Sequence, residues 1–195
     1  CKDAIVESLL NAAIYGTGIA KINVIERLEK VVQESPIPDT LTTDTVVVEK
    51  EIIAVKVESL TPKEFVIDPT ATSIEEALGV AQIVIKPKYE IMEGIKDGIY
   101  EDKPLGDYNK ADFGFEEENS SVSTDDDKVK ITEYWGRIPK KFLKTQSGLA
   151  EEFDYDEDEL VEAVVTIAND AIVLRADENP YLMKDRPFVA FQLDR

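Results

Sequence analysis

Histidine is absent from the 195-residue chain. The commonest general base and the commonest zinc ligand go with it, and so do Ser–His–Asp and Cys–His catalysis. Cysteine occurs once, as Cys1, which excludes an intrachain disulfide framework and suits a reducing compartment. No apolar run approaches the roughly 20 residues of a membrane-spanning helix. No basic start followed by an apolar core marks a secretory signal. Positive charge is scarce too: 22 basic residues face 41 acidic ones, for a net charge of −19. Proteins that grip a phosphate backbone need clustered lysine and arginine to replace its counterions. Tight binding of DNA or RNA is therefore not expected.

With 43% apolar residues the chain has material for a real core, as one domain or two small ones. Ile5, Val6, Leu9, Leu10 and Ala13 recur at helical spacing opposite Lys2, Asp3, Glu7 and Asn11, predicting an amphipathic helix over residues 3–15. Gly16 stops it. Gly16-Thr-Gly18 lacks the third glycine or the Lys-Ser/Thr pair of a phosphate loop and follows a helix, so it reads as a terminator. The β-branched stretch 19–25 predicts a strand. Residues 26–34 are ambiguous, since Leu28, Val31 and Val32 also suit a helix, and a continuing, twisted strand is the favoured reading. Residues 46–57 form a long strand with Val47, Ile53, Val55 and Val57 on one side and Lys50 and Lys56 on the other.

Thr61-Pro-Lys-Glu64 matches a capping box with proline at the first helical position, a single short turn. The apolar run at Phe65 ends in a rigid Asp68-Pro69 turn, and Ser73-Ile-Glu-Glu76 starts a helix with Ser73 as its cap. A strand over 80–85 and a short helix over 87–93, ending at Gly94, follow.

Composition then shifts. Residues 96–128 hold few large apolar side chains and the runs Glu116-Glu-Glu118 and Asp125-Asp-Asp127, a long, acidic, flexible insertion. Order returns in a strand over 129–135 with Val129, Ile131 and Trp135 on one face, and Thr145-Gln-Ser-Gly148 is a turn. Residues 160–168 and 171–175 make a hairpin around Asn169-Asp170, residues that tolerate positive φ. The expected class is α+β: strand-rich, with short helices, one long acidic loop, and Phe65, Ile67, Val84, Ile131 and Trp135 in the core.

No chemistry emerges from this layout. Asp154-Tyr-Asp-Glu-Asp-Glu159 offers hard oxygen ligands but has no glycine at the sixth position of a calcium loop, so it reads as a solvated acidic loop. Asp125, Asp126 and Asp127 are consecutive and point different ways, unlike a nuclease metal cluster. Among 41 carboxylates, the existence of a pair carries no information. No catalytic residue, metal ligand or cofactor is nominated. Trp135 beside Arg137 reads as a buried strand aromatic with an edge arginine rather than a base-stacking platform. The one concentrated positive patch is Arg137-Ile-Pro-Lys-Lys-Phe-Leu-Lys144, four basic residues in eight. Arg137, Lys140, Lys141 and Lys144 are accordingly the candidate subunit contacts, facing acidic loops of a neighbouring copy, with DNA as second choice.

Six stretches recur in a telling order: Asn11-Ala-Ala-Ile-Tyr-Gly-Thr-Gly-Ile-Ala-Lys21, Glu58-Ser-Leu-Thr-Pro-Lys-Glu64, Phe65-Val-Ile-Asp-Pro-Thr-Ala-Thr-Ser-Ile-Glu-Glu-Ala77, Glu133-Tyr-Trp-Gly-Arg137, Glu178-Asn-Pro-Tyr181 and Arg186-Pro-Phe-Val189. The ordered set, spanning residues 3–191, resembles the portal (head-to-tail connector) proteins of tailed bacteriophages with short tails. That resemblance implies a non-enzymatic subunit of a dodecameric ring at one capsid vertex. Terminase pumps double-stranded DNA through such a ring, and capsid and tail adaptor proteins attach to it. It implies a location in the virion, and in host cytoplasm during assembly, with no membrane.

The resemblance also implies a wing-like α/β region over 1–95, the acidic insertion over 96–128, and a β-rich region approaching stem and clip over 129–195. The insertion departs from the family's pattern, and long channel helices are not seen in the sequence. A channel wall past which DNA slides is served by repulsion, and acidity fits that role, though plain solubility is the favoured account of it. Cys1 in place of an initiator methionine, and Arg195 just after an apolar run, read as the edges of an excerpt.

Two other classes stay open at this point. An acidic binding module or DNA mimic would be a complete folded monomer, whereas a portal piece shows strand edges and exposed apolar surface. A histidine-free two-carboxylate hydrolase would need a deep cleft holding both carboxyls.

Overall fold

Antiparallel β-structure dominates the computed structural model, which describes residues 2–36, 43–105, 127–143 and 158–192, with backbone alone over 25–51. The elements in chain order are α1 (Lys2–Tyr15), β1 (Thr17–Pro36), β2 (Thr43–Leu60), β3 (Phe65–Ile67), β4 (Gly79–Pro87), α2 (Lys88–Lys96), β5 (Lys128–Pro139), β6 (Leu160–Ala168), β7 (Ile172–Glu178) and β8 (Phe188–Gln192). Two α-helices and two sheets among the described residues make the fold α+β with more strand than helix, as expected. The runs Glu116-Glu-Glu118 and Asp125 with Asp126, the turn at Thr145, the acidic stretch 151–157, Lys144, and the side chains of Val47 and Lys50 lie outside the described residues.

The chain divides into two units: Cys1–Leu60 with Pro187–Arg195, and Thr61–Arg186. Boundaries drawn at 96 and 128 from the sequence fall inside the second unit, where β4 and β5 on either side of them pair from Gly79–Gly136 to Pro87–Lys128.

The first unit is a three-stranded sheet of order β2-β1-β8 with α1 on it. β1 and β2 pair in continuous register from Ile19–Leu60 to Pro36–Thr43, whereas β8 reaches only Thr17 to Lys21. Among the described residues most of β1 and β2 is therefore a two-stranded ribbon, about 50 Å long from Ile22 to Pro36 at the usual rise of a strand. The helix begins and ends as expected, with Gly16 at φ 83°. Its orientation differs. An apolar stripe normally faces a core, but α1 buries Ser8, Asn11 and Ala12. Ile5, Val6, Leu9, Leu10, Ile14 and Tyr15 each keep 47% to 62% of their surface exposed.

The reason is polar pairing at close range. The Ser8 hydroxyl donates to the Ile19 carbonyl (3.4 Å) and pairs with the Ser59 hydroxyl (3.0 Å). Asn11 Nδ2 donates to Ser59 Oγ (3.3 Å) and the Leu60 carbonyl (3.5 Å). A Cβ on Gly18 would lie 2.6 Å from the Ser8 carbonyl oxygen, so only glycine lets the helix sit this near the strand.

The second unit is a five-stranded antiparallel sheet in the order β3-β4-β5-β6-β7. Register puts Val84, Ile131 and Ala168 side by side, and likewise Val80, Trp135 and Val164, all on one face. At one end of that face α2 and Leu105 close a core of Ile91, Val129, Ile131, Ala168 and Leu174. Ile131 and Trp135 are buried as expected, while Phe65, Ile67 and Val84 are half-buried. The β6–β7 hairpin turns at Asn169 (φ 47°) and Asp170 (φ 57°). Asn169 also fastens the turn, accepting from the Lys130 N–H at 3.0 Å and donating to the Leu105 carbonyl at 2.9 Å.

Two helix boundaries differ from the sequence reading. α2 runs through Gly94 to Lys96 and stops at Gly98 (φ 74°). Gly94 serves packing instead: a Cβ there would lie 2.5 Å from the Tyr100 ring. The helix expected at Ser73 is a single turn, closed by the Ala77 N–H on the Ser73 carbonyl (3.2 Å).

Candidate functional site

The stretch after Asp68 shows why that helix does not propagate. Thr70 donates its N–H (2.9 Å) and hydroxyl (2.7 Å) to Asp68 Oδ1, which holds the Asp68 carboxyl below its ordinary pKa and makes the tight turn. Ser73 Oγ accepts the Glu76 N–H at 3.3 Å, so the cap forms, but the Glu76 carboxylate takes the Thr72 hydroxyl. A helix would next need the Ile74 carbonyl for the Leu78 N–H. Arg186 takes it.

Arg186 is the centre of the site, its side chain only 5% exposed. Nη1 donates to the carbonyls of Ile74 (2.6 Å) and Ala77 (2.8 Å). Nη2 donates to the Leu78 carbonyl (3.2 Å) and Glu162 Oε1 (2.8 Å), and Nε donates to Glu162 Oε2 (3.3 Å). A guanidinium has five N–H donors in a fixed fork, and these contacts engage all of them. The Glu75 carboxyl beside it sits below its ordinary pKa, held by its own backbone N–H and the Ser73 hydroxyl, with Arg186 adding a smaller pull.

A second buried polar residue shapes the approach to Arg186. Asn179, 1% exposed, donates to the carbonyls of Lys184 (3.0 Å) and Asp185 (3.1 Å) and accepts the Tyr181 N–H (2.9 Å). Its own N–H reaches the Glu162 carbonyl at 2.8 Å. Lys184, at φ 57°, closes the loop by donating to the Asn179 carbonyl (2.9 Å) and pairing with Glu178 (2.8 Å). Tyr181 stacks on Trp135, centroids 5.6 Å apart and planes at 19°. Four of the six stretches singled out in the sequence thus converge: the turn at Ile74, the strand at Trp135, the loop at Asn179, and Arg186. Sequence reasoning gave Glu162, Asn179 and Arg186 no role. The available signal was a lone Asn-Pro and a lone Arg-Pro in segments without periodicity.

The nominated basic residues lie at the neighbouring end of β5. Arg137 pairs with Glu162 (3.4 Å), Lys140 with Glu159 (3.3 Å) and Lys141 with Asp158 (2.5 Å). The structure brings three of the four together and matches each with a carboxylate of the same chain. All three pairs are partly exposed. Lys144 lies outside the described residues.

The site is architectural. Every polar group at its centre is committed to a protein partner, and a cavity of about 390 Å³ beside it is lined by Ile74, Glu75, Glu162, Lys184, Asp185 and Arg186. Among the described residues no group of three or more acidic or thiol side chains is placed to hold a metal ion. None of their helices is long and apolar enough to cross a membrane.

The sequence profile of the family described as Phage SU10 portal protein matches residues 9–195, nearly the whole chain. The chain belongs to this portal family. It is a bacteriophage portal subunit, a structural component of the virion capsid. No curated protein matches it. The portal match covers both the ribbon and the Arg186 centre, so both are parts of a portal protein's own architecture.

Proposed function

We propose that the chain forms, with further copies, a dodecameric ring at one capsid vertex. The ring is the conduit for DNA packaging and ejection and the attachment point for terminase and tail adaptors. The subunit acts without catalysis and assembles in host cytoplasm before residing in the virion. The observation that carries this reading is the portal match across residues 9–195. A net charge of −19 supports passage of DNA without adhesion. A second unit tied together by a buried arginine supports a stiff subunit, and we assign residues 1–95 to the wing and residues 129–195 to the β-rich region approaching stem and clip. Arg137, Lys140, Lys141 and Lys144 contact acidic segments of the next copy in this reading. The full-length protein, concentrated and imaged by negative stain alongside light scattering, should give closed rings. A product that stays monomeric at every concentration and salt tried would overturn the ring.

A further inference from the structure

The first unit carries two apolar surfaces of different kinds. One is the outward stripe of α1, where Ile5, Leu9, Leu10 and Ile14 are all about half exposed or more. The other lies on the ribbon. Register pairs Ile22 with Val57 and Val24 with Val55, so these side chains share one face with Ile53 two residues further along β2. Ile22, Val24, Ile53 and Val55 are all exposed. That is the face on which α1 rests through Ser59, the neighbour of Val57 in the same alternation. Apolar side chains exposed together on one face mark an interaction site, and a two-stranded ribbon is marginal in water until something packs on it.

Resting on the ring reading above, we propose that the apolar stripe of α1 on one copy docks on the Ile22–Val24–Ile53–Val55–Val57 strip of the next copy. The occupant is a second copy for three reasons. The stripe points away from the sheet that the inner face of α1 is bonded to, so a helix cannot cover its own ribbon. The two surfaces differ, a helix stripe and a sheet face, so the contact is heterologous and repeats from copy to copy until it closes. Charge also selects these surfaces. Copies at net −19 repel, yet residues 4–15 carry only Glu7, and the strip is uncharged at its two paired positions, Ile22–Val57 and Val24–Val55, with Lys56 on the opposite face by alternation and the register partner of Ile53, Glu26, marking its end.

The test uses the full-length protein with Cys1, and any cysteine outside these 195 residues, changed to Ser. Leu10→Cys is combined in turn with Ile53→Cys, Val55→Cys and Val57→Cys, and assembled protein is oxidised and run without reductant. The expected result is a ladder of disulfide-linked multimers from at least one pair and from no single-cysteine variant. Rings that form but give no ladder from any pair overturn the contact and leave the portal reading intact. A disulfide closed within one chain also overturns it, because the cover is then the chain itself. Absence of rings from the unaltered protein removes the ring reading and the contact with it. In parallel, Leu10→Asp should raise the concentration for half-assembly about tenfold or more, with an unchanged circular dichroism spectrum. Assembly at the unaltered concentration overturns the contact.

Discussion

Arg186 and Arg137 share one carboxylate, and their surroundings give them different weights. The Arg186 side chain is 5% exposed and serves three carbonyls besides Glu162, whereas Arg137 is half exposed. Truncating a buried, fully paired charge strands its partners and costs about 3–5 kcal/mol. An exposed pair contributes about 0–1 kcal/mol. Arg186→Ala should therefore lower the unfolding free energy by about 3–5 kcal/mol, and Arg137→Ala by less than about 1 kcal/mol. Arg186→Lys should recover only part, because an ammonium has three donors and no planar fork. Urea denaturation of the three variants measures this, and equal losses from both alanine variants would show that Arg186 is not the tie. None of this was legible in the sequence: the Arg186 partner at Ile74 is 112 residues away, and no local pattern announces it.

Strands were the legible elements, because alternation and β-branching record which side of a strand is wet. Val129, Ile131 and Trp135 followed that rule, and Asn169-Asp170 turned where its tolerance of positive φ allowed. Helices were less legible. The α1 stripe faces out because two polar side chains find partners on β1 and β2, and the Ser73 turn stops because a distant arginine takes the Ile74 carbonyl. The β4–β5 pairing shows another contact that sequence hides. Gly79 and Gly136 are directly opposite, and Tyr134 folds across both; burial raises the pKa of its phenol. A Cβ on Gly136 would lie 2.4 Å from the Gly79 Cα and 2.6 Å from the Leu78 carbonyl oxygen. Both are backbone atoms held by the sheet and by the Arg137 N–H on Leu78 (3.0 Å). Gly136→Ala should destabilise by about 1–3 kcal/mol, the usual cost of overpacking. Thermal unfolding reads it, and a melting temperature equal to the unaltered protein's would mean the strands part freely there.

At the scale of the whole molecule, charge acts on assembly in two opposed ways. Each copy carries −19, so neighbours repel and added salt relieves them. In the proposed ring the basic stretch pulls the other way: Lys140, Lys141 and Lys144 would be its attractive charge toward the next copy, and salt screens such attraction within about 8–10 Å. Overall salt dependence is the balance of both and isolates neither. The informative quantity is the difference between the unaltered protein and one with Lys140, Lys141 and Lys144 changed to Glu. Lys140 and Lys141 already hold Glu159 and Asp158 in exposed pairs, so reversal loses little folding free energy, roughly 0–1 kcal/mol per pair. The triple variant should stay folded and need a higher concentration to form rings at low salt. That gap should close as salt rises. Light scattering against concentration at low and high salt measures it, with circular dichroism confirming the fold. A gap that persists unchanged at high salt would mean these lysines act by shape rather than charge, and no gap at either salt would remove them from the subunit contact.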